Sequence, residues 1–181
     1  MRIMVLYREY WKEGKSVRKR RHILPFSHDY HMVGFFDGAA KDGLGGCGFI
    51  LYLNKEHFYR GWMGLEHCTN NFSELRAVWM LLHWAQRLEI KDIKIYGDSQ
   101  VVIGWLQGKT VLQAITLTHW CSKIRELTTF FGQIHFGHIY REHNMEADTL
   151  SKKGIGCPEG ALQIEEVNGD SIRRFYEHRI Y

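Results

Sequence analysis

The stretch NFSELRAVWMLLHWAQRLEI, residues 71–90, is the strongest helix in the sequence, and the rest of the fold is arranged around it. Its apolar residues recur at the spacing of a helix face that packs on a core, at Val78, Leu81, Leu82, Ala85 and Leu88. Glu74 continues this face, because it lies four residues before Val78. Burying an unpaired carboxylate is costly, so Glu74 needs a partner. The alternative is a capping box, which the spacing of Asn71 and Glu74 imitates.

Strand-like segments lie on both sides of this helix. Three precede it, the second and third joined by a hairpin: MVGFFDG (32–38), CGFILYL (47–53) and HFYRGWMG (57–64). A strand, two helices, a strand and a last helix follow it: DIKIYGD (92–98), SQVVIGWLQG (99–108), 114–131, QIHFGHIY (133–140) and REHNMEADTLSKKG (141–154). This order predicts a mixed α/β sheet that begins with an antiparallel meander.

The chain of 181 residues divides into a basic N-terminal extension (1–31), one domain (32–154) and a less periodic C-terminal tail (155–181). The extension has eight Lys/Arg and three Asp/Glu, which gives +5, so with a formal net charge of +4 the remaining residues sum to −1. Any attraction to nucleic acid that depends on net charge therefore belongs to the extension. We interpret its run KSVRKRRH first as a solvated tail and second as a nucleic-acid arm.

The composition is that of a folded protein. With 45% hydrophobic and 24% charged residues, the chain is too apolar for a disordered protein. No run reaches the roughly 20 apolar residues of a membrane span, and the first residues lack a signal-peptide core. The four cysteines are scattered without a Cys-x-x-Cys pair, which indicates reduced, packed thiols. We therefore expect a soluble intracellular protein.

Three acids have both a functional and a local interpretation. Asp37 ends the first predicted strand and Asp98 ends the fourth. If these strands are parallel neighbours, both acids lie at the sheet edge where open α/β sheets bind ligands. Locally, Asp37 is a turn residue before Gly38, and Asp98 is the N-cap of the next helix. Asp148 lies four residues before Lys152, which predicts an ion pair on a helix face.

Three or four carboxylates at one sheet edge repel one another unless cations neutralise them. Mg²⁺ suits such a site, because it binds carboxylate oxygens while keeping waters and phosphate oxygens as further ligands. Two such ions about 4 Å apart can activate a water and stabilise the leaving oxygen when a phosphodiester is cleaved. The acids therefore indicate metal-dependent nuclease chemistry.

Four motifs, in this order and spacing, resemble type 1 ribonuclease H: FFDGAA, TNNFSELRAV, YGDSQVVIGWL and REHNMEADTLS. They are most similar to the ribonuclease H domains of plant retroelement (non-LTR reverse transcriptase) polyproteins, over about residues 33–154. The resemblance implies an α/β ribonuclease H-like fold, a five-stranded mixed sheet (order 3-2-1-4-5) flanked by helices. It also implies an endonuclease that hydrolyses the RNA strand of RNA–DNA hybrids with two Mg²⁺ ions, for which Mn²⁺ is a substitute.

The same resemblance implies roles for individual residues. The metal ligands and catalytic acids are Asp37, Glu74, Asp98 and Asp148. The substrate contacts are Thr69, Asn70, Asn71, Gln100 and Asn144. The segment that starts at Thr69 matches the part of the family that senses the RNA 2′-hydroxyl, with which a short amide can pair. A polar turn before the helix is the local alternative, and it is compatible with this role.

The resemblance also implies a mobile histidine that moves protons or helps product release, and His143 lies in the corresponding loop. His135 and His138 are three residues apart on a predicted strand and point to opposite faces, which argues against a paired metal site.

Two features depart from the family. Residues 109–121 contain one basic residue and no long basic protrusion, and the turn after Asp37 lacks Asn-Pro-Gly. The alternative function is a catalytically weak or inactive retroelement-derived domain that binds nucleic acid. Proofreading-type exonucleases fit less well, because Ala39 stands where they have glutamate, and integrase-like enzymes usually end in glutamate where this chain has Asp148. We expect a monomer without a membrane partner.

Overall fold

The computed structural model describes residues 32–178, so the basic extension predicted at residues 1–31 lies outside the described residues. The strands are β1 (Met32–Lys41), β2 (Leu44–Tyr52), β3 (His57–Glu66), β4 (Asp92–Gly97), β5 (Gln133–His138), β6 (Leu162–Asn168) and β7 (Ser171–Glu177). The helices are α1 (Asn70–Arg87), α2 (Gln100–Leu106), α3 (Ile115–Thr128) and α4 (Met145–Gly154). A short 3-10 turn, Arg141–His143, precedes α4. The predicted order of elements is confirmed as far as α4.

The strands of the described part form one mixed sheet in the order β5-β4-β1-β2-β3-β6-β7. β1 pairs antiparallel with β2 and parallel with β4, and β4 pairs parallel with β5. The predicted order 3-2-1-4-5 is therefore present, and so is the hairpin between β2 and β3. The predicted number of five strands is wrong, because the sheet has seven.

The two additional strands come from the segment that we predict as a C-terminal tail, residues 155–181. β6 pairs antiparallel with β3, and β7 pairs antiparallel with β6. Leu162 and Ile164 of β6 belong to the same hydrophobic core as α1. The next residue on this inward row is Glu166, which is only 3% exposed. A charged residue at an inward position interrupts the apolar alternation by which a half-buried strand is identified.

Helices cover both faces of the sheet. Helix α1, with α3 packed on it, covers one face, and the predicted inward stripe is confirmed by the complete burial of Val78, Leu81 and Ala85. Each fully buried valine or leucine contributes roughly 1.5–3 kcal/mol to folding. Helix α4 covers the other face, where Ala147 and Leu150 join a second hydrophobic cluster. The sheet therefore lies between two apolar layers.

The strands β1 and β4 separate next to the predicted acids. β1 pairs with β4 only as far as Phe35, whereas its pairing with β2 continues to Lys41. Asp37 therefore lies inside β1 and not at its end, because β2 keeps β1 extended after β4 has stopped. Asp98 directly follows the last residue of β4. Both carboxylates are thus at the carboxyl end of parallel pairing, where α/β sheets bind ligands.

The four cysteines are free; Cys47 and Cys121 are buried, and Cys68 and Cys157 are half-buried. Within residues 32–178, none of the helices has the length and apolar character required to cross a membrane.

Candidate active site

The side chains of Asp37, Glu74 and Asp98 meet where β1, α1 and β4 come together. One carboxylate oxygen from each lies within 4.8 Å of the other two. Asp37 and Glu74 are buried, at 5% and 7% exposure, and Asp98 is half-buried. We name these three residues the acidic cluster. Three of the four predicted metal ligands are therefore together.

Gly38 allows α1 to reach the acidic cluster. It follows Asp37 in β1, and a Cβ atom on Gly38 would overlap the backbone nitrogen of Glu74. The first turn of α1 therefore lies directly on β1 and brings Glu74 beside Asp37. The capping-box alternative for Glu74 is wrong, because Thr69 is the N-cap of α1 and accepts a hydrogen bond from the backbone N–H of Phe72 at 3.3 Å.

Burial raises the pKa of every acid in the cluster. It raises the pKa of Asp37 from 3.8 to about 6, although a hydrogen bond from Ser151 acts in the opposite direction. Burial, and then the charges of Asp37 and Asp98, raise the pKa of Glu74 well above 4.5. Burial also raises the pKa of Asp98, and the charge of Arg141 opposes this change. Negative charge here is therefore unfavourable unless a cation is present.

The donor atoms of the cluster fit a divalent cation. Within the described residues, Glu74 Oε2 is buried and has no hydrogen-bond partner. Leaving such an oxygen unpaired costs about 1–3 kcal/mol, which a metal ion would offset. A set of carboxylate oxygens suits hard cations such as Mg²⁺ or Mn²⁺ better than softer metals.

Asp148, the fourth predicted ligand, is held by two cationic side chains. Lys152 Nζ donates to Asp148 Oδ2 at 2.6 Å, and Arg141 Nη2 donates to Oδ1 at 3.2 Å. Burial raises the pKa of Asp148, but these hydrogen bonds outweigh it, so the pKa lies below 3.8. The helix pair with Lys152 is confirmed. The negative charge of Asp148 also raises the pKa of Asp37 and Asp98. Asp148 therefore acts on the cluster without being one of its three members.

Four of the five predicted substrate contacts are exposed: Thr69, Asn70, Asn71 and Gln100. The first three lie at the start of α1, ahead of Glu74, and Gln100 begins α2, two residues after Asp98. The fifth, Asn144, is 2% exposed, and its Nδ2 donates to the carbonyl oxygen of Phe36 at 2.8 Å. Asn144 therefore joins the start of α4 to β1 beside Asp37, and the structure does not bring it to the surface with the other four.

Two histidines lie near this end of the sheet. His143, the predicted mobile histidine, is exposed in the 3-10 turn before α4. His138 ends β5, and its Nε2 lies 3.1 Å from the carbonyl oxygen of Asp98. His135 contacts the ring of Tyr96 instead, so the two strand histidines do point to opposite faces. The sequence signal for His138 is its position at the end of a strand parallel to β4.

Ser151 is a residue of the site that the sequence motifs do not single out. It is fully buried, and its hydroxyl donates to Asp37 Oδ2 at 2.7 Å. Its signal is its place on the inward face of α4, whose buried residues are Ala147, Leu150, Ser151 and Gly154. A polar side chain in a buried stripe requires a hydrogen-bond partner, and that partner is Asp37.

A model of the family described as reverse transcriptase-like matches residues 35–154, from β1 to the end of α4. The chain belongs to this family. The reverse transcriptase-like domain therefore contains the acidic cluster, Asp148 and all the predicted substrate contacts. The strands β6 and β7 lie beyond the match.

The relatives of the reverse transcriptase-like domain include named ribonucleases. Ribonuclease HI of Halobacterium salinarum is 29% identical over 124 residues, which cover 67% of this chain and 62% of the relative. The crystal structure of ribonuclease H1 from the same archaeon has a TM-score of 0.65 at 28% identity and covers 68% of this chain and 96% of that one. LC11 ribonuclease H1, isolated from compost and solved in complex with an RNA/DNA hybrid, has a TM-score of 0.60 at 23% identity over 68% of this chain and 96% of its own, which shows the fold alone.

The family match and the archaeal ribonuclease H relatives show a type 1 ribonuclease H domain. The chain spans less than two thirds of the length of the curated relatives it matches, 62% of one and 56% of another. The similarity to plant retroelement domains stays a prediction.

Proposed function

We propose that this protein is an endonuclease that hydrolyses the RNA strand of RNA–DNA hybrids with the help of two divalent cations. The observation that carries the proposal is the acidic cluster, in which three carboxylate oxygens lie within 4.8 Å inside a type 1 ribonuclease H domain. The name of the archaeal relative, ribonuclease HI, supports the same activity. Mg²⁺ is the proposed cation, and Mn²⁺ is its proposed substitute.

Asp37, Glu74 and Asp98 would hold the cations. When bound, two divalent cations supply an activated water and stabilise the leaving oxygen of a phosphodiester. Asp148 is the proposed fourth ligand, since its charge already acts on both aspartates of the cluster. All four side chains come from one chain, so the proposed active form is a monomer.

The exposed start of α1 is the proposed contact to the RNA strand. The amides of Asn70 and Asn71 can donate to and accept from a 2′-hydroxyl, the group that distinguishes RNA from DNA. Thr69 Oγ1 accepts from the backbone of Phe72, so its own proton remains available for a phosphate oxygen. Gln100, exposed at the start of α2, is the proposed contact in the minor groove.

Histidine is the proposed carrier of protons during turnover. His143 is exposed in the turn before α4, where solvent can exchange its proton. His138 is a second proposed carrier, because its Nε2 lies 3.1 Å from the carbonyl oxygen of Asp98. When Nε2–H donates to this carbonyl, Nδ1 of the neutral ring is the proton acceptor.

A cleavage assay with labelled hybrid, single-stranded RNA and duplex DNA tests the proposal. We expect cleavage of the hybrid alone, only with Mg²⁺ present, and a loss of turnover of about 100-fold or more in Asp37→Asn. Asp170→Asn is the matched control, because Asp170 is exposed in the turn between β6 and β7. Hybrid cleavage by Asp37→Asn at the wild-type rate would refute the assignment.

The second candidate is a domain that binds nucleic acid with little or no turnover. The connection from α2 to the start of α3 supports it, because Val111 and Ile115 are 78% and 89% exposed where a basic protrusion would attract the hybrid. Hybrid binding without cleavage in Mg²⁺ would favour this candidate, and measured turnover would exclude it.

We also propose residues 32–154 as the catalytic unit and residues 1–31 as a basic extension to it. The family match to residues 35–154 supports this division. Descent from a plant retroelement polyprotein is part of the same proposal, supported by the four motifs within that range.

A further inference from the structure

The hydroxyl of Ser151 lies between the acidic cluster and the backbone of α4. Its Oγ is 2.7 Å from Asp37 Oδ2 and 2.8 Å from the carbonyl oxygen of Asp148, and the residue has 0% exposure. A serine hydroxyl has one proton, and an ionised carboxylate accepts it more strongly than a carbonyl does. The proton therefore points to Asp37 whenever that carboxylate is charged.

Two glycines of β2 fix the position of Ser151. A Cβ atom on Gly48 would overlap the backbone nitrogen of Ser151, and one on Gly46 would overlap its carbonyl oxygen. In the antiparallel register, Gly48 lies opposite Asp37. Helix α4 thus packs backbone against backbone on β2. The backbone of Ser151 is therefore held rigidly, and its short side chain places the hydroxyl beside Asp37.

We infer that Ser151 is a positioning residue, which orients the Asp37 carboxylate for a divalent cation. Because the hydroxyl holds Oδ2, the carboxylate cannot rotate freely about its Cβ–Cγ bond, and this restricts where the other oxygen can lie. Hydrogen bonds to ligating carboxylates typically change metal affinity by about 10–100-fold. The inference rests on the proposed metal-dependent function, and it gives a role to Ser151, the last residue of the fourth motif, to which the resemblance assigns none.

Ser151→Ala tests the inference without an activity measurement. The chelator-treated protein is titrated with Mg²⁺, and binding is followed by the rise in melting temperature and by calorimetry. We expect the variant to bind Mg²⁺ about 10-fold more weakly than the wild type or worse. Equal Mg²⁺ affinity in the two proteins would overturn the inference.

Thr149→Ala is the matched control, because it removes a hydroxyl from the same helix. Thr149 Oγ1 lies 2.9 Å from the carbonyl oxygen of Met145, and the residue is exposed. We expect this variant to bind Mg²⁺ like the wild type. If both variants lose affinity equally, the effect comes from α4 as a whole, and the positioning role of Ser151 is wrong.

A second variant and a double variant separate positioning from a general packing effect. Ser151→Cys retains a side chain of similar shape with a weaker donor, so we expect an affinity between those of the wild type and Ser151→Ala. In the Asp37→Asn background, Ser151→Ala should have no further effect on Mg²⁺ affinity, because the hydroxyl acts by orienting the Asp37 carboxylate, which this background removes. An undiminished effect in that background would contradict the inference.

Kinetics distinguish this inference from the proposed function. For Ser151→Ala we expect kcat on the hybrid to fall about 10-fold while KM stays within about 2-fold, because the residue acts on the metal ligands and not on the substrate surface. A wild-type protein that binds Mg²⁺ but leaves the hybrid uncut would refute the proposed function. The Mg²⁺ affinities of the wild type and the variants would then decide the role of Ser151. A wild-type protein that binds no Mg²⁺ would refute both.

Discussion

Single residues of the acidic cluster destabilise the fold when no cation is bound. Asp37, Glu74 and Asp98 each have a raised pKa, with burial as the largest cause. When the pKa of a carboxyl group is higher in the folded than in the unfolded state, the protein loses stability as the pH rises from the unfolded to the folded pKa. For Asp37 the interval extends from 3.8 to about 6, so at neutral pH its charge opposes folding.

Asp37→Asn should therefore stabilise the chelated protein at pH 7. The amide has the same shape and can still accept the proton of Ser151, but it carries no charge in the buried site. We expect the free energy of unfolding in EDTA to rise by about 1–3 kcal/mol, measured by denaturant titration. Asp170→Asn should change it by less than about 0.5 kcal/mol. A lower stability of Asp37→Asn in EDTA would show that the buried charge of Asp37 does not oppose folding.

The residues that could be predicted from the sequence are those with a local signal. Glu74 interrupts an apolar helix face, and Lys152 follows Asp148 by one helical turn, so both interactions can be deduced from spacing. The contact of Asn144 with the carbonyl oxygen of Phe36 cannot be, because it joins residues 108 positions apart. For the same reason, the burial of the Asn144 side chain could not be predicted from the sequence, which suggested a substrate contact instead.

At the scale of elements, the site depends on how closely two helices approach the sheet. Gly38 allows α1 to pack on β1, and Gly46 and Gly48 allow α4 to pack on β2. Without these glycines the helices would have to move outward, and the side chains they contribute would leave the cluster.

Gly48→Ala tests this dependence. Its Cβ atom would overlap the backbone nitrogen of Ser151, which cannot rotate away, so α4 must shift. We expect a loss of about 1–3 kcal/mol in the free energy of unfolding, together with weaker Mg²⁺ binding. In the control Gly132→Ala, the nearest atom is the Asp92 carboxylate oxygen at 3.3 Å, a side chain that can move. Unchanged Mg²⁺ affinity in Gly48→Ala would mean that the cluster tolerates a displaced α4.

The helices and the first hairpin could be predicted because their periodicity is local. The end of β1 could not, since the strand continues only because β2 pairs with it beyond Asp37. β7 has no pattern to detect, because six of its seven residues are exposed. Pairing with a neighbouring strand, and not burial, therefore makes this segment a strand.

At the scale of the whole molecule, Glu166 connects the C-terminal hairpin, formed by β6 and β7, to the rest of the sheet. Tyr59 Oη donates to its Oε1 at 2.8 Å, and His57 Nε2 lies 2.7 Å from the same oxygen. Arg173 Nη2 lies 2.6 Å from Oε2 as an ion pair without hydrogen-bond geometry. Burial raises the pKa of Glu166, but the two hydrogen bonds and the charge of Arg173 outweigh it, and the pKa lies below 4.5.

Glu166→Gln should therefore destabilise the protein at neutral pH and much less in acid. A carboxyl with a lowered pKa in the folded state contributes stability above its unfolded pKa and loses it as the pH falls through the folded pKa. We expect a loss of about 1–3 kcal/mol at pH 7, and a progressively smaller loss as the pH falls below 4.5, by denaturant unfolding. Glu165→Gln is the control. Glu165 lies on the same strand as Glu166, but its partner Arg174 is 79% exposed, so this ion pair contributes little. A pH-independent difference for Glu166→Gln would contradict this account.

The number of strands in the sheet could not be predicted from the family motifs. The four sequence motifs end at α4, and so does the family match at residue 154. The hairpin of β6 and β7 attaches to β3 through an inward row that contains Glu166. Its last residue, Glu177, forms an ion pair with Arg87 of α1, and its Oε2 lies 3.2 Å from Nε2 of His83 on the same helix. These contacts are long-range and charged, so neither apolar periodicity nor family resemblance reveals them.

The C-terminal hairpin also determines which strand faces other molecules. An unpaired outer strand offers its backbone groups to neighbouring chains and is a starting point for edge-to-edge aggregation. Without the hairpin that strand would be β3, in which Phe58 and Trp62 are apolar. With it, the outer strand is β7, which presents Arg173 and Arg174 at 67% and 79% exposure. Among the described residues, the hairpin thus moves this edge of the sheet from β3 to β7, where charged side chains stand beside the exposed apolar side chains of Ile172 and Tyr176.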